Sequence, residues 1–80
     1  MQGGRLFLRV ERIVKTFGMV NANPEVIQGS ECITIVNGFS TLMADVFGPD
    51  LGVGARSAVG LATLPHNCPV EVECQFLLKK

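Results

Sequence analysis

Hydrophobic and polar positions repeat along the chain with two different periods, and these periods predict strands and one helix. Residues 13–20 are rich in strand formers, and the turn residues that follow, 21–24, end this strand. A shorter apolar run at residues 6–10 predicts a further strand in front of it. In the last part of the chain, apolar and polar residues alternate strictly over 70–76, which predicts a half-buried antiparallel strand.

Between these regions, apolar side chains recur every three or four positions and predict a helix over residues 31–47. Ser30 is the expected N-cap, and Gly48 followed by Pro49 is expected to end the helix. Gly38 lies inside this helix, where a glycine lowers the stability of the helix by about 1 kcal/mol relative to alanine. We therefore expect Gly38 to lie where the helix closely approaches a packed surface, or else a ligand. The recurring apolar side chains form one stripe along the predicted helix, which comprises Ile33, Val36, Phe39, Leu42, Met43, Val46 and Phe47.

Small residues at 55–61 predict a strand that packs closely, and residues 64–69 form a turn before the final strand. The order is therefore strand, helix, strand, strand, with the extra strand in front. This order predicts an α+β fold, a mostly antiparallel sheet backed by one long helix. Residues 55–76 are expected to form a hairpin.

The composition narrows the possible partners. The 80 residues form a single domain (1–80), in which seven Lys and Arg balance seven Asp and Glu. A chain without net positive charge lacks the attraction that nucleic acid or an anionic membrane requires, so we predict neither partner. A domain this short buries only about 60% of the surface that its unfolded chain exposes, so a core of its own is marginal and a homo-oligomer is favoured.

No apolar run reaches the ~20 residues of a membrane helix, and no signal peptide is apparent, so we expect a cytoplasmic protein. Cys32, Cys68 and Cys74 match no zinc spacing, and His66 is the one histidine that could join them. We expect reduced, buried thiols, no metal and no cofactor. His66 itself is predicted to be a surface turn residue.

Arg56 is the one basic residue between positions 20 and 59. Its planar guanidinium can bind a carboxylate through two parallel hydrogen bonds, which lysine cannot reproduce. The alternative is a structural ion pair with Glu71 or Glu73, because a hairpin brings these residues onto one face. Both interpretations remain open from the residues alone.

Glu71 and Glu73 are two positions apart in a strand and share a face. One of them can serve as a general base that deprotonates water, although two solvated acids are the commoner outcome. Asn37 offers an amide to a ligand or else faces solvent, and Gly38 is beside it.

Several linked motifs resemble the RidA family, also called YjgF or endoribonuclease L-PSP, and its YjgF/chorismate-mutase-like branch in particular. The resemblance runs from about Val10 to Phe76. The matching segments are residues 55–61 (ARSAVGL), Leu64-Pro65 and 70–73 (VEVE), and upstream residues 12–15 (RIVK), 17–21 (FGMVN), 36–38 (VNG) and 45–48 (DVFG).

The resemblance implies a chorismate-mutase-like fold, a homotrimer, and clefts between subunits that bind small carboxylic or imino acids. It further implies an enamine/imine deaminase that hydrolyses 2-imino acids to 2-oxo acids and ammonia. Carried over to this sequence, Arg56 binds the substrate carboxylate, Glu71 positions the attacking water, and Asn37 and Gly38 lie near the cleft.

The chain departs from the family pattern in ways that leave three alternatives. It lacks the usual N-terminal strand pair and first helix, the Ser-Gly-Gln stretch and any tyrosine, and Ala58 stands where many members have cysteine. The alternatives are a working deaminase, a non-catalytic oligomeric module that binds small acids through Arg56, and an inactive remnant. Ribonuclease activity is disfavoured, because seven basic side chains give RNA little to bind.

Overall fold

The computed structural model describes residues 9–23, 25 and 27–80. In this part of the chain, three strands and one long α-helix follow one another in the predicted order. Strand β1 is Val10–Asn21, helix α1 is Gly29–Phe47, β2 is Ala55–Leu61, and β3 is Val70–Leu78, preceded by a short 3₁₀ turn at Pro65–Asn67. The strand predicted at residues 6–10 falls mostly on residues 1–8, which lie outside the described residues.

The sheet is mixed rather than mostly antiparallel. β1 occupies its centre in the order β2-β1-β3, parallel to β2 and antiparallel to β3. Parallel neighbours need a crossover connection, and α1 supplies it. The predicted hairpin over residues 55–76 is wrong, because β1 lies between β2 and β3 and residues 62–69 carry the chain across it.

Helix α1 begins two residues earlier than predicted, and its cap is Gln28 rather than Ser30. The Oε1 atom of Glu31 accepts a hydrogen bond from the Gln28 backbone N–H at 3.3 Å, and the Gln28 carbonyl accepts one from the Glu31 N–H at 3.0 Å. The C-terminus is as predicted: Gly48 follows it with φ 93°, a conformation that favours glycine. No helix among the described residues is long and apolar enough to cross a bilayer.

The core lies between α1 and the side of β1 that faces it. At Gly18, an added Cβ would lie 2.5 Å from Val36 Cγ1, so this glycine lets the helix approach the sheet. Gly38 is different, because nothing lies within 4 Å of a Cβ added there. None of the described residues therefore makes the close approach predicted at Gly38. The main buried cluster comprises Val20, Ala22, Cys32 and Val36.

The apolar stripe predicted on α1 divides into a buried part and an exposed part. Val36 is 1% exposed, whereas Ile33, Leu42 and Val46 are 40–53% exposed. The reason is geometric: the predicted stripe spans about half of the helix circumference at 3.6 residues per turn, and the sheet covers a narrower arc. Phe39, Met43 and Phe47 are half-buried.

Candidate functional site

Arg56 projects from β2 on the side of the sheet that carries α1. It lies next to Thr16 of β1 in the pairing register, on the same side as Gly18. Its Nη1 donates hydrogen bonds to Asn37 Oδ1 at 2.7 Å and to Ser40 Oγ at 3.0 Å. These two bonds fix the half-buried guanidinium between the edge strand and the helix.

The guanidinium keeps part of its hydrogen-bonding capacity open. Both of its hydrogen bonds within the described part of the chain use Nη1, and a guanidinium has five N–H donors. The Nε–H and Nη2–H donors on the adjacent edge are parallel, and they match the two oxygens of a carboxylate. Arg56 is thus both oriented and able to bind an anion.

A cleft of about 260 Å³ opens beside this guanidinium. Helix α1, the loop between α1 and β2, and strands β1 and β2 supply its walls. Its volume is of the order of a small organic acid rather than a nucleotide or peptide, since drug-sized pockets measure roughly 300–1,000 Å³. The lining residues are Thr16, Asn37, Ser40, Met43, Gly52, Val53, Gly54 and Arg56.

The loop wall of the cleft is held to β1. Arg12 Nη2 donates to the Val53 carbonyl at 3.1 Å, and the Ile13 N–H donates to the Leu51 carbonyl at 2.9 Å. A Cβ at Gly54 would lie 2.6 Å from the Ile13 carbonyl oxygen, and one at Gly52 would collide with the Met43 carbonyl. The glycines of this loop therefore permit its close packing, which shapes the cleft.

Glu71 and Glu73 share a face, as predicted, but it is the face opposite to Arg56. Glu71 pairs with Met19, whereas Arg56 pairs with Thr16, and positions 16 and 19 point to opposite sides of a regular strand. The ion pair between Arg56 and these acids, one of the two interpretations that the sequence left open, is not formed within one chain, because the sheet separates the side chains. Asn37, in contrast, directly contacts Arg56, and Gly38 follows it on α1.

The remaining candidate residues do not line the cleft. His66 is exposed in the 3₁₀ turn with φ 56°, in agreement with a surface turn residue. Cys32 is buried, but Cys68 and Cys74 are partly exposed, so the prediction of buried thiols is wrong for these two. Among the described residues, no three His, Cys, Asp or Glu side chains are grouped to hold a metal ion.

The sequence interpretation missed two polar residues of the cleft, Ser40 and Thr16. Ser40 lies three positions after Asn37 and so on the same side of a helix, a spacing that could have identified it. Thr16 is 6% exposed, and its hydroxyl lies 3.5 Å from Cys74 Sγ. A threonine in a strand of apolar residues carries no comparable signal.

No protein-family model matches this chain, and the known proteins that are similar to it include the following two. Protein TCP17 of Trypanosoma cruzi is 43% identical over 65 residues, which are 81% of this chain and 39% of that protein. The crystal structure of Atu1372, a protein of unknown function from Agrobacterium tumefaciens, has a TM-score of 0.79 and 37% identity over 89% of this chain. The chain spans 39–42% of the length of these two proteins.

Proposed function

We propose that this chain is a RidA-like enamine/imine deaminase, which hydrolyses 2-imino acids to 2-oxo acids and ammonia in a homo-oligomer with a chorismate-mutase-like fold. The observation that carries the proposal is the open Nε–Nη2 edge of Arg56 in a cleft the size of a small acid. The motifs around Arg56 and Glu71 support the same activity. No cofactor is needed, because the substrate already contains the electrophilic C=N carbon.

In this reaction, Arg56 binds the substrate carboxylate and fixes the position of the imine carbon. A carboxylate removes a proton from water as the oxygen adds to that carbon, which gives a tetrahedral carbinolamine. The imine nitrogen takes up one proton when the oxygen adds and a second that the hydroxyl group gives up. The C–N bond then breaks, the hydroxyl oxygen becomes the carbonyl of the 2-oxo acid, and ammonia leaves. Asn37 and Ser40 contribute by keeping the guanidinium in place.

Glu71 is the proposed carboxylate, and the geometry requires that it come from another copy. Within one chain the sheet separates Glu71 from Arg56. An assembly that brings the Glu71 face of one subunit to the cleft of the next completes the site, such as three pairs of chains about the three-fold axis implied by the family resemblance. The proposed deaminase is therefore inactive as a monomer.

The opposite faces of Arg56 and Glu71 also favour a second candidate function, a non-catalytic module that binds small carboxylic acids. Such a module needs Arg56 and the cleft but no general base. It would bind 2-oxobutanoate saturably and release no ammonia from an imine.

Ammonia release from freshly generated 2-iminobutanoate separates these functions. Arg56→Ala should abolish the acceleration, with Lys79→Ala, which removes one exposed cation, as the matched control. Glu71→Gln should lower kcat by roughly 10²–10⁴-fold, whereas Glu73→Gln on the same face should not. All variants are first checked for the wild-type circular dichroism spectrum.

Mixing two inactive variants tests the shared site directly. If Glu71 acts across subunits, mixed oligomers of Arg56→Ala and Glu71→Gln contain some sites with both native residues and regain activity. A folded wild-type chain with no rate above buffer would refute the deaminase. Saturable 2-oxobutanoate binding in that case would establish the binding module.

A further inference from the structure

The outer edge of β3 is unpaired in the described part of the chain. Every residue of β3 that faces the α1 side is apolar or a cysteine, and the end positions Val70 and Leu78 are 36% and 44% exposed. Phe76 is 42% exposed although its ring lies 6.1 Å from that of Phe47 at the end of α1. Long apolar edge strands pair readily with another strand.

The flank of α1 above β3 is apolar as well. Asn37 and Ser40 mark the β2 side of the helix, because both accept hydrogen bonds from Arg56. At 3.6 residues per turn, the side chains on the other flank project about 140–180° away from Asn37 and thus toward the β3 side. These are Ile35, Leu42 and Val46, which are 40–53% exposed.

Together, these residues form an L-shaped apolar surface, the β3-side groove. One arm is the β3 edge and the other is the flank of α1. We propose that a second copy of this chain occupies the groove. The two β3 strands pair antiparallel about a two-fold axis at Cys74, which gives a continuous six-stranded sheet with both helices side by side on one face. The groove residues are Ile35, Leu42, Val46, Val70, Phe76 and Leu78.

The sequence of β3 is complementary to itself in this pairing. Cys74 is the midpoint of Val70–Leu78, so full overlap places Val70 opposite the partner's Leu78 and Glu73 opposite the partner's Gln75. On the α1 side of the sheet, apolar residues then meet apolar residues, since Val72 lies opposite the partner's Phe76. On the other side, Glu71 lies opposite the partner's Leu77, so the glutamates do not face each other. A shift that centres the pair on Glu73 would instead oppose two like charges, which is destabilising.

The size of the similar protein from Agrobacterium tumefaciens points to the same occupant. The 89% of this chain that aligns makes up 42% of that protein, so two copies of this chain approach its length. A second copy therefore supplies most of the chain length that this protein has outside the matched part. The pairing is independent of whether the Arg56 cleft binds or hydrolyses a ligand.

Two double variants test the pairing and its register. Val70→Lys/Leu78→Glu places opposite charges at both ends of the paired strands, whereas Val70→Lys/Leu78→Lys places like charges there. Both positions are exposed, so each chain should keep its fold. We expect the like-charge variant to have a dimer dissociation constant about tenfold or more above that of the opposite-charge variant. Leu51→Lys/Leu61→Lys adds the same two charges outside the groove and should dimerise like wild type.

Light scattering and thiol oxidation provide the readouts. In light scattering, the wild-type assembly should contain an even number of chains of 8.6 kDa. Mild oxidation of the Cys68→Ser variant should link two chains by a disulfide between their Cys74 side chains. The link should not form when Cys74→Ser is added. A monomer or an odd-numbered assembly would overturn the proposal, as would equal dissociation constants for the two charge variants. None of these outcomes depends on ammonia release.

Discussion

The close approach between Gly18 and Val36 makes a quantitative prediction about stability. In Gly18→Ala, the new methyl group would lie 2.5 Å and 2.6 Å from the two Val36 methyl carbons. Val36 is 1% exposed and cannot move into solvent, so the helix must shift away from the sheet. Overpacking of this kind costs roughly 1–3 kcal/mol, and each kcal/mol lowers Tm by about 4–8 °C in a domain of this size.

Gly38→Ala is the matched control, because it makes the same chemical change on α1, the helix that packs against Gly18. Nothing lies within 4 Å of its new Cβ, and alanine is favoured over glycine in a helix by up to about 1 kcal/mol. Thermal unfolding followed by circular dichroism at one protein concentration should show a lower Tm for Gly18→Ala and a higher Tm for Gly38→Ala. Combining Gly18→Ala with Val36→Ala should cost less than the sum of the two single changes. Equal Tm values for the two single alanine variants would refute the packing of α1 described here.

Three further predictions concern the core, the helix start and the cleft wall. Ile13→Val should lower the free energy of unfolding by about 0.5–1.5 kcal/mol with an unchanged m-value in urea, because Ile13 is 1% exposed; no loss would contradict its burial. Glu31→Ala should cost about 0.3–1 kcal/mol by removing a charge near the helix N-terminus, and Glu31→Gln, which can still accept from Gln28, should cost less. Arg12→Met removes the hydrogen bond to the Val53 carbonyl, so it should speed hydrogen exchange of the Ile13 amide and weaken 2-oxobutanoate binding. Lys79→Met removes the same charge elsewhere and should change neither. Identical exchange rates in the two variants would show that Arg12 does not hold the loop.

The helix and its end were predictable because local residues determine them. The three- and four-residue periodicity of apolar positions predicts α1, and Gly48 with Pro49 ends it. The alternation at residues 70–76 likewise predicts β3 and the common face of Glu71 and Glu73, because strand side chains alternate wherever the strand lies in the sheet.

The strand order was not predictable in the same way. Consecutive strands usually pair, so residues 55–76 were expected to form a hairpin, yet β2 instead pairs with β1 after the α1 crossover. That choice depends on long-range packing of α1 onto β1 through Gly18 and Val36. The error also affected the site, since the hairpin suggested Glu71 or Glu73 as possible partners of Arg56, and the observed partners are Asn37 and Ser40.

The anchored guanidinium of Arg56 is the centre of the proposed function, and NMR can observe it directly. The measurement is a titration of the ¹⁵N-labelled chain with 2-oxobutanoate, following the Nε–H signal that disappears in Arg56→Ala. We predict a saturable shift of this signal, and weaker binding in Arg56→Lys, because an ammonium cannot form the two parallel hydrogen bonds. An Arg56 signal that does not move up to saturating acid, in a folded chain, would contradict the assignment of this cleft as a carboxylate site.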